Sequence, residues 1–383
     1  MKKRRNKEEF EENQKSKLIK NQIEKKKEFT IDDLPKVLLK YLCFFLDFNS
    51  FVSFTSTNKK NRSLFATLRE GFRYLKKLRI ERNKEIEQKI IKKMDFSLII
   101  SSNKNNLLHS AFYNIDQVPI KFLKNFVENR CEINFQNNFK NSPLHLAFYK
   151  NLSFDIIQFL VELKADLNMK KYEGSTPLHL ACFNQNITLK NIQFLVEKKS
   201  DLNLLNEDGD TPLLCAGNNR NLPFDIIQYL IENKSDLNII NRDSNNLLHL
   251  ISKNKKVKSE SIKFLVEKKI DVNHTNKFNE NSLHRICQNK SISLEIIKTL
   301  IEEKCEINLK SYNDFSPLHL ACNNEYSSYE IIEYMIKSKC DLNLLCNFGF
   351  TPLSLALKNS NLVKKILLIF GKNSDVEEIL RNI

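Results

Sequence analysis

The sequence has no tryptophan and only 6 glycines and 8 prolines in 383 residues. Glycine this scarce leaves little room for loops that cradle phosphate, and the patterns G-x-x-x-x-G-K-[ST], G-x-G-x-x-G and G-x-S-x-G are all absent. No C-x-x-C pair occurs, so nothing has the spacing of a zinc site. There is no run of ~18 apolar residues to span a membrane as a helix. The opening stretch "MKKRRNKEEFEENQKSKLIKNQIEKKKEF" lacks the apolar core of a secretory signal. Nine cysteines, an odd number, without such a signal point to a reducing compartment. The expectation is a non-enzymatic protein of the cytoplasm or nucleus, holding no cofactor and no metal.

What is abundant is lysine and asparagine. The formal net charge is +15, unevenly placed: residues 1–95 hold 26 Lys and Arg against 14 Asp and Glu, and the remainder hold 35 against 32. A nucleic-acid binder working along its whole length would not concentrate its charge this way, so no specific nucleic acid is expected. A basic tether of residues 1–95 to an anionic surface stays open as a lesser reading.

The dominant feature is repetition. "STPLHLAC" at 175–182 returns as "NSPLHLAF" at 141–148 and "FSPLHLAC" at 315–322. The slot of His179 recurs at His109, His145, Leu214, His249, His284, His319 and Ser354, in steps of 36, 34 and then 35. A second landmark keeps the same beat: Asn134, Asn168, Asn203, Asn238, Asn273, Asn308 and Asn343 each follow an acid and an aliphatic residue. Eight units therefore run from about residue 101 onward.

Each unit reads as two short helices and a turn. Thr176 fits an N-cap, Pro177 sits where a missing N–H costs nothing, and His179 falls where a side chain reaches back to the cap. Asn184, Asn219, Asn254, Asn289, Asn324 and their counterparts follow the first helix, where the expectation is a left-handed helix end. Ser153, Thr188, Pro223, Ser293 and Ser328 open the second helix, whose buried face carries residues such as Ile156, Ile157, Leu160 and Val161. A pair this small cannot bury its apolar face alone; stacking on neighbours does.

Six of the seven histidines share one slot, one per unit. Side chains on neighbouring helices lie on the order of 10 Å apart and cannot share a metal, so a capping role is expected. His274, on a turn, reads as exposed. Cys182, Cys287 and Cys322 share one slot and Cys131, Cys305 and Cys340 another, which suits small buried hydrophobes.

These units resemble the ankyrin repeat, with its T-P-L-H-x-A signature, over about 280 residues. The resemblance implies an all-α solenoid whose turn fingers and first helices line a groove for a partner protein. The period is 35 rather than ~33, the extra residues falling between the helices. Leu247 and Ser282 stand in the proline slot, and this part of the array is expected to be the loosest. Finger-tip aromatics Phe139, Tyr172, Phe278, Tyr312, Phe315 and Phe348 are the candidate contacts for a client protein.

Residues 1–28 read as a basic disordered or frayed helical arm, with "KKRR" at 2–5 a candidate import signal. Residues 29–68 are dense in Leu and Phe and off the 35-residue beat. Leu34-Pro35, Leu38, Leu42, Leu46-Asp47, Phe51, Phe54, Lys59 and Arg62 resemble, in order, the skeleton of an F-box. Val37, Phe48, Thr57 and Asn61 depart from it. The resemblance implies that Leu34, Pro35, Leu38, Leu42, Leu46, Phe51 and Phe54 dock an Skp-family adaptor of a ubiquitin ligase. The plainer reading is a helical lid on the array, with residues 69–100 as a basic connector or cap and 101–383 as the repeats. A monomer that receives a substrate for ubiquitination is the leading expectation; a scaffold or inhibitor with no link to ubiquitination is the alternative.

Overall fold

The computed structural model describes residues 29–30, 99–100, 104–114, 120–128 and 130–358. Helices alternate between two kinds. The inner helices are α1 (Leu107–Asn114), α3 (Pro143–Tyr149), α5 (Pro177–Phe183), α7 (Pro212–Asn218), α9 (Leu247–Ser252), α11 (Ser282–Gln288), α13 (Pro317–Asn323) and α15 (Pro352–Lys358). The outer helices are α2 (Ile120–Glu128), α4 (Phe154–Glu162), α6 (Leu189–Glu197), α8 (Phe224–Glu232), α10 (Ser259–Glu267), α12 (Leu294–Glu302) and α14 (Tyr329–Lys337). The eighth outer helix was expected within 359–383, outside the described residues, as are the proposed arm, nearly all of the F-box-like block and most of the connector. One departure from the all-helical expectation is a two-residue parallel pairing of β1 (Phe29–Thr30) with β2 (Ile99–Ile100). Nothing in the sequence pattern marks so short a pairing.

Two compact units divide the chain, one up to Tyr172 and one from Glu173. Within the first, α1 packs on α3 and α2 on α4. Within the second, the inner helices follow one another from α5 to α15, while α6 packs on α8, α10 on α12 and α12 on α14. An inner helix of about two turns has no independent stability. Its cohesion comes from burial: Leu178, Ala181 and Cys182 of α5 are wholly inside, as are Leu283, Ile286 and Cys287 of α11. The small Ala and Cys slots let neighbouring helices approach closely. Burial pushes the thiols of Cys305 and Cys340 up to about 11 and 12, so both stay protonated and inert.

Helix starts follow the expected caps. Ser142, Thr176, Asn281 and Ser316 each form a reciprocal capping box with the histidine three residues on. Helix ends do not follow expectation. Asn184, Asn219, Asn289 and Asn324 lie in extended conformation, with ψ of 124, 104, 140 and 116°. The amides of Asn219, Asn289 and Asn324 instead reach the preceding repeat. Asn219 Nδ2 donates to Cys182 O (3.0 Å), Asn289 Nδ2 to Ser252 O (2.7 Å) and Asn254 O (2.8 Å), and Asn324 Nδ2 to Cys287 O and Asn289 O (both 2.9 Å). In these three loops asparagine acts through its amide, not through tolerance of a left-handed backbone.

The left-handed position falls instead after the outer helix, at Lys164, Lys199, Lys234, Lys269, Lys304 and Lys339, whose φ values run from 60 to 72°. The turn they make returns the chain at once: Ser200 N–H donates to Leu195 O at 3.0 Å. The second 35-residue landmark is also a tie between repeats. Asn203 Oδ1 accepts from Asp236 N, Asn273 Oδ1 from Glu306 N and Asn308 Oδ1 from Asp341 N, at 2.9, 2.6 and 2.8 Å.

The proline-free repeats are not gaps in the packing. Leu247 and Ser282 are buried, and a Cβ on Gly217 would come within 2.5 Å of Leu247 Cδ1, so the glycine makes room for the leucine. Where proline is missing, the cap is asparagine rather than Ser or Thr: Asn106, Asn246 and Asn281. Its Nδ2 donates to Glu132 O, Asp271 O and Glu306 O respectively, at 2.7, 2.9 and 2.9 Å. That extra bond within the repeat anchors a helix start that proline would otherwise pre-set.

Candidate partner-binding fingers

Each finger is a tight loop between an outer helix and the next inner helix. At its base Asn206 N–H donates to Asp210 O (3.0 Å), and Asn206 Oδ1 accepts from the backbone of Asp208 and Asp210 (both 2.9 Å). Asn137, Asn241 and Asn276 do the same in their own fingers. The turn needs one positive φ, supplied by Lys140, Gly174, Gly209, Ser244, Asn279, Asp314 and Gly349. At Gly209 a Cβ would stand 3.1 Å from Arg242 N, so the close approach of the next finger also asks for glycine.

Successive fingers are joined by a backbone ladder, to which amide side chains add bonds: Asn241 Nδ2 donates to Asp210 Oδ1 (3.0 Å), Asn279 Nδ2 to Lys310 O (2.7 Å) and Asn347 Nδ2 to Tyr312 O (3.2 Å). Glu207 N–H donates to Glu173 O, Arg242 N–H to Asp208 O, Lys277 N–H to Asp243 O, Tyr312 N–H to Phe278 O and Asn347 N–H to Asn313 O, at 2.8–3.1 Å. In the first unit Tyr172 N–H donates to Phe139 O at 3.1 Å.

The histidines hold the fingers in place. In the Ser- and Thr-capped repeats the cap N–H donates to Nδ1, 3.1 Å at both Thr176–His179 and Ser316–His319. The neutral ring then carries its proton on Nε2, which donates to the carbonyl at the foot of the next finger: His179 to Asp210 O (3.0 Å) and His319 to Phe350 O (3.1 Å). At His249, at His284 and, in the first unit, at His109, Nε2 lies 2.8, 3.1 and 2.8 Å from Glu280 O, Phe315 O and Asn141 O. Nδ1 there also stands 2.6–2.7 Å from the capping asparagine's Oδ1, a second acceptor, so a neutral ring donates at only one of its two nitrogens. Burial pushes His109, His249 and His284 down to about 4, so their rings are uncharged at neutral pH. The capping role was legible in the sequence. The second bond was not, because its partner lies 31 or 32 residues away.

His274 is not simply exposed, for its Nε2 lies 2.9 Å from Ser244 O and its ring stands edge-on to His249. Among the described residues, no group of three or more His, Cys, Asp or Glu side chains is arranged to hold a metal ion.

The tips point outward. Phe139, Tyr172, Phe278, Tyr312 and Phe348 are 59, 68, 54, 71 and 67% exposed. Phe315 differs: it is half-buried, edge-on to His319 at 5.8 Å and tilted against Phe348 at 6.0 Å. It supports the tip of the next finger more than it offers a free face. Leu205, Ile240 and Leu345 share one place on the arm of their fingers and are also exposed, although sequence reading missed them. Their signal was the doubled aliphatic residue after the landmark asparagine, of which only the first turns inward. The central tips are polar, with Glu207, Asp208, Arg242 and Asp243, and desolvation, ahead of repulsion from Asp208 and Asp243, raises the Asp210 carboxyl above its ordinary range. Leu34, Pro35, Leu38, Leu42, Leu46, Phe51 and Phe54 lie outside the described residues.

A family model described as ankyrin repeats matches three times, over residues 108–204, 188–276 and 283–378, more than half of the chain. Among curated relatives, the chain is similar to NF-kappa-B inhibitor alpha of Gallus gallus, 29% identical over 84 residues, 22% of this chain and 26% of that one. It is also similar to ankyrin repeat domain-containing protein 53 of Mus musculus, 40% identical over 60 residues, 15% of this chain and 12% of that one. The chain thus spans about a quarter of the length of the inhibitor and less of the other. Among solved structures, the human ASB11 ankyrin repeat domain superposes with a TM-score of 0.51 at 20% identity, covering 60% of this chain and 97% of that one.

Proposed function

The chain belongs to the ankyrin repeat family, and from that premise we propose that it holds a client protein against its finger tips. Ankyrin repeats are protein-interaction modules, and no helix among the described residues is long and apolar enough to cross a membrane. The observation that carries the reading is the row of exposed tip aromatics, Phe278, Tyr312 and Phe348, on a ladder built from backbone. Large apolar rings kept in water on a rigid frame suit the anchors of a protein interface. Phe139 and Tyr172 present the same chemistry on the first unit.

The finer part of the proposal is that the client is held for ubiquitination. It rests on the residues from Leu34 to Phe54 whose succession along the sequence resembles the skeleton of an F-box, which would bind an Skp-family adaptor. The similarity to an NF-kappa-B inhibitor supports the second reading, in which the repeats hold a partner without any adaptor. Two variants of the full chain separate these. Tyr312→Ala with Phe348→Ala should lower client capture about fivefold or more with helix content unchanged. Leu34→Ala with Pro35→Ala should abolish adaptor binding and leave client capture intact. If that second variant still binds adaptor, or the native chain never does, the scaffold reading stands; unchanged client capture by the first variant removes the fingers from the interface.

A further inference from the structure

Each inner helix begins at a finger and ends at the loop that hands the chain to the outer helix, so these loops form the edge far from the finger tips. In the loops α7–α8, α9–α10 and α11–α12 that edge carries Arg220, Lys253, Lys255, Lys256, Lys258 and Lys290, all exposed. The three loops are bound to one another. Lys256 Nζ donates to Asn221 Oδ1 (3.5 Å), Ser291 Oγ donates to Lys255 O, and Asn289 Nδ2 to Asn254 O (2.8 Å). The cations therefore stand on a fixed surface and not on independent loops.

Their charge is largely unanswered. Four cations elsewhere in this unit are paired with carboxylates: Lys263 with Glu295, Arg285 with Glu280, Lys310 with Asp314 and Lys337 with Glu333. Arg220, Lys253, Lys255, Lys256 and Lys258 form no ion pair among the described residues, and Lys290 sits over the Tyr326 ring with its Nζ 3.2 Å from the hydroxyl. The carboxylates facing this edge are Asp225, Glu260 and Glu295 in the first turns of α8, α10 and α12, with Glu325 beside Lys290. Glu295 is already taken by Lys263 at 2.6 Å. The edge where the outer helices end is different, since Lys199, Lys234 and Lys269 there are interleaved with Glu197, Glu232, Glu267, Asp201, Asp236 and Asp271.

We propose that this loop edge is a second docking surface, and that its occupant is an acidic polypeptide segment. Charge complementarity selects an anion. A single-stranded nucleic acid would want a run of aromatic platforms for its bases, whereas the three loops themselves carry none: the exposed rings flank them, Phe183 at the end of α5 and Tyr326, the latter already covered by Lys290. A membrane would want apolar anchors, whereas Leu222 is buried and Val257 and Ile292 are drawn partly inside. Separate cations about a repeat apart, on the order of 10 Å, match spaced carboxylates on an extended chain.

The test uses the full chain and a labelled ten-residue glutamate peptide, followed by fluorescence anisotropy at low salt. Lys253→Glu, Lys255→Glu and Lys256→Glu together should weaken binding at least about tenfold. Lys199→Glu, Lys234→Glu and Lys269→Glu, the same charge change on the interleaved edge, should weaken it less than about threefold. Because both variants keep the basic residues 1–95, binding through that region would survive in each, and an unchanged affinity in the loop variant overturns the proposal. So does tighter binding of a thymidine oligonucleotide of equal charge, or of phosphatidylserine vesicles, lost in the same variant. Client capture through the finger aromatics stays as in the native chain, so the two surfaces fail independently.

Discussion

Neighbouring repeats in the second unit are tied at two ends by different chemistry. At the fingers the tie that recurs from repeat to repeat is backbone to backbone, as in Arg242 N–H to Asp208 O, with amides such as Asn241 and Asn347 adding to it in single fingers. At the loop ends it is a side chain, the amide of Asn219, Asn289 or Asn324, on carbonyls of the preceding repeat. A backbone ladder does not require one side chain, and its N–H donors are accordingly Glu207, Arg242, Lys277, Tyr312 and Asn347 in turn. A side-chain latch leaves no such freedom, and seven of the eight loop positions are asparagine. The variable end is where partner identity can be written at little cost to the fold; the constant end is where the fold is held.

The largest expected effect strikes the link between helix and finger. His109, His249 and His284 are held near pKa 4 by burial, against about 6.5 when unfolded. A depressed histidine stabilises the fold above its unfolded pKa, and the contribution is lost as pH falls from about 6.5 toward 4, where the unfolded chain binds more protons. The expected loss across that window is on the order of several kcal/mol for the three together. Thermal unfolding followed from pH 7 to pH 4.5 should show a falling midpoint, unaffected by a chelator; a flat or rising midpoint would mean that the rings are charged in the fold.

Next in size is the side-chain latch itself. Asn289→Ala removes two donors from buried carbonyls and should cost about 1–3 kcal/mol, read as a lower denaturant midpoint. The finger ladder gives a smaller effect at its glycine: Gly209→Ala, at φ 75° and close to Arg242 N, should cost about 1–2 kcal/mol. Smallest of all is a tip. Tyr312→Ala should change stability by less than about 0.5 kcal/mol while weakening client capture. A Tyr312→Ala chain destabilised as much as Asn289→Ala would erase the distinction between the two ends.

Period, helix pairs and caps could be read from the sequence because they are local: a cap and its histidine are three residues apart, and the 35-residue beat repeats them. The slots of Leu178, Ala181 and Cys182 were legible for the same reason, since a helix places i and i+3 on one face whatever lies opposite. What the asparagines do was not legible. A left-handed end and an extended latch look alike in one repeat, and the choice depends on carbonyls 35 and 37 residues back. The left-handed turn fell to lysine instead, because the geometry of the returning chain fixes φ there. Leu247 read as a defect until Gly217, 30 residues earlier, proved to be the space it fills. Phe315 and Phe348 are both finger aromatics, yet packing draws one inward and leaves the other in water. Local chemistry, carried by neighbours in the chain, was determined by the sequence by itself; which groups meet across repeats, and so which side chains are left over for a partner, was decided only when the repeats stacked.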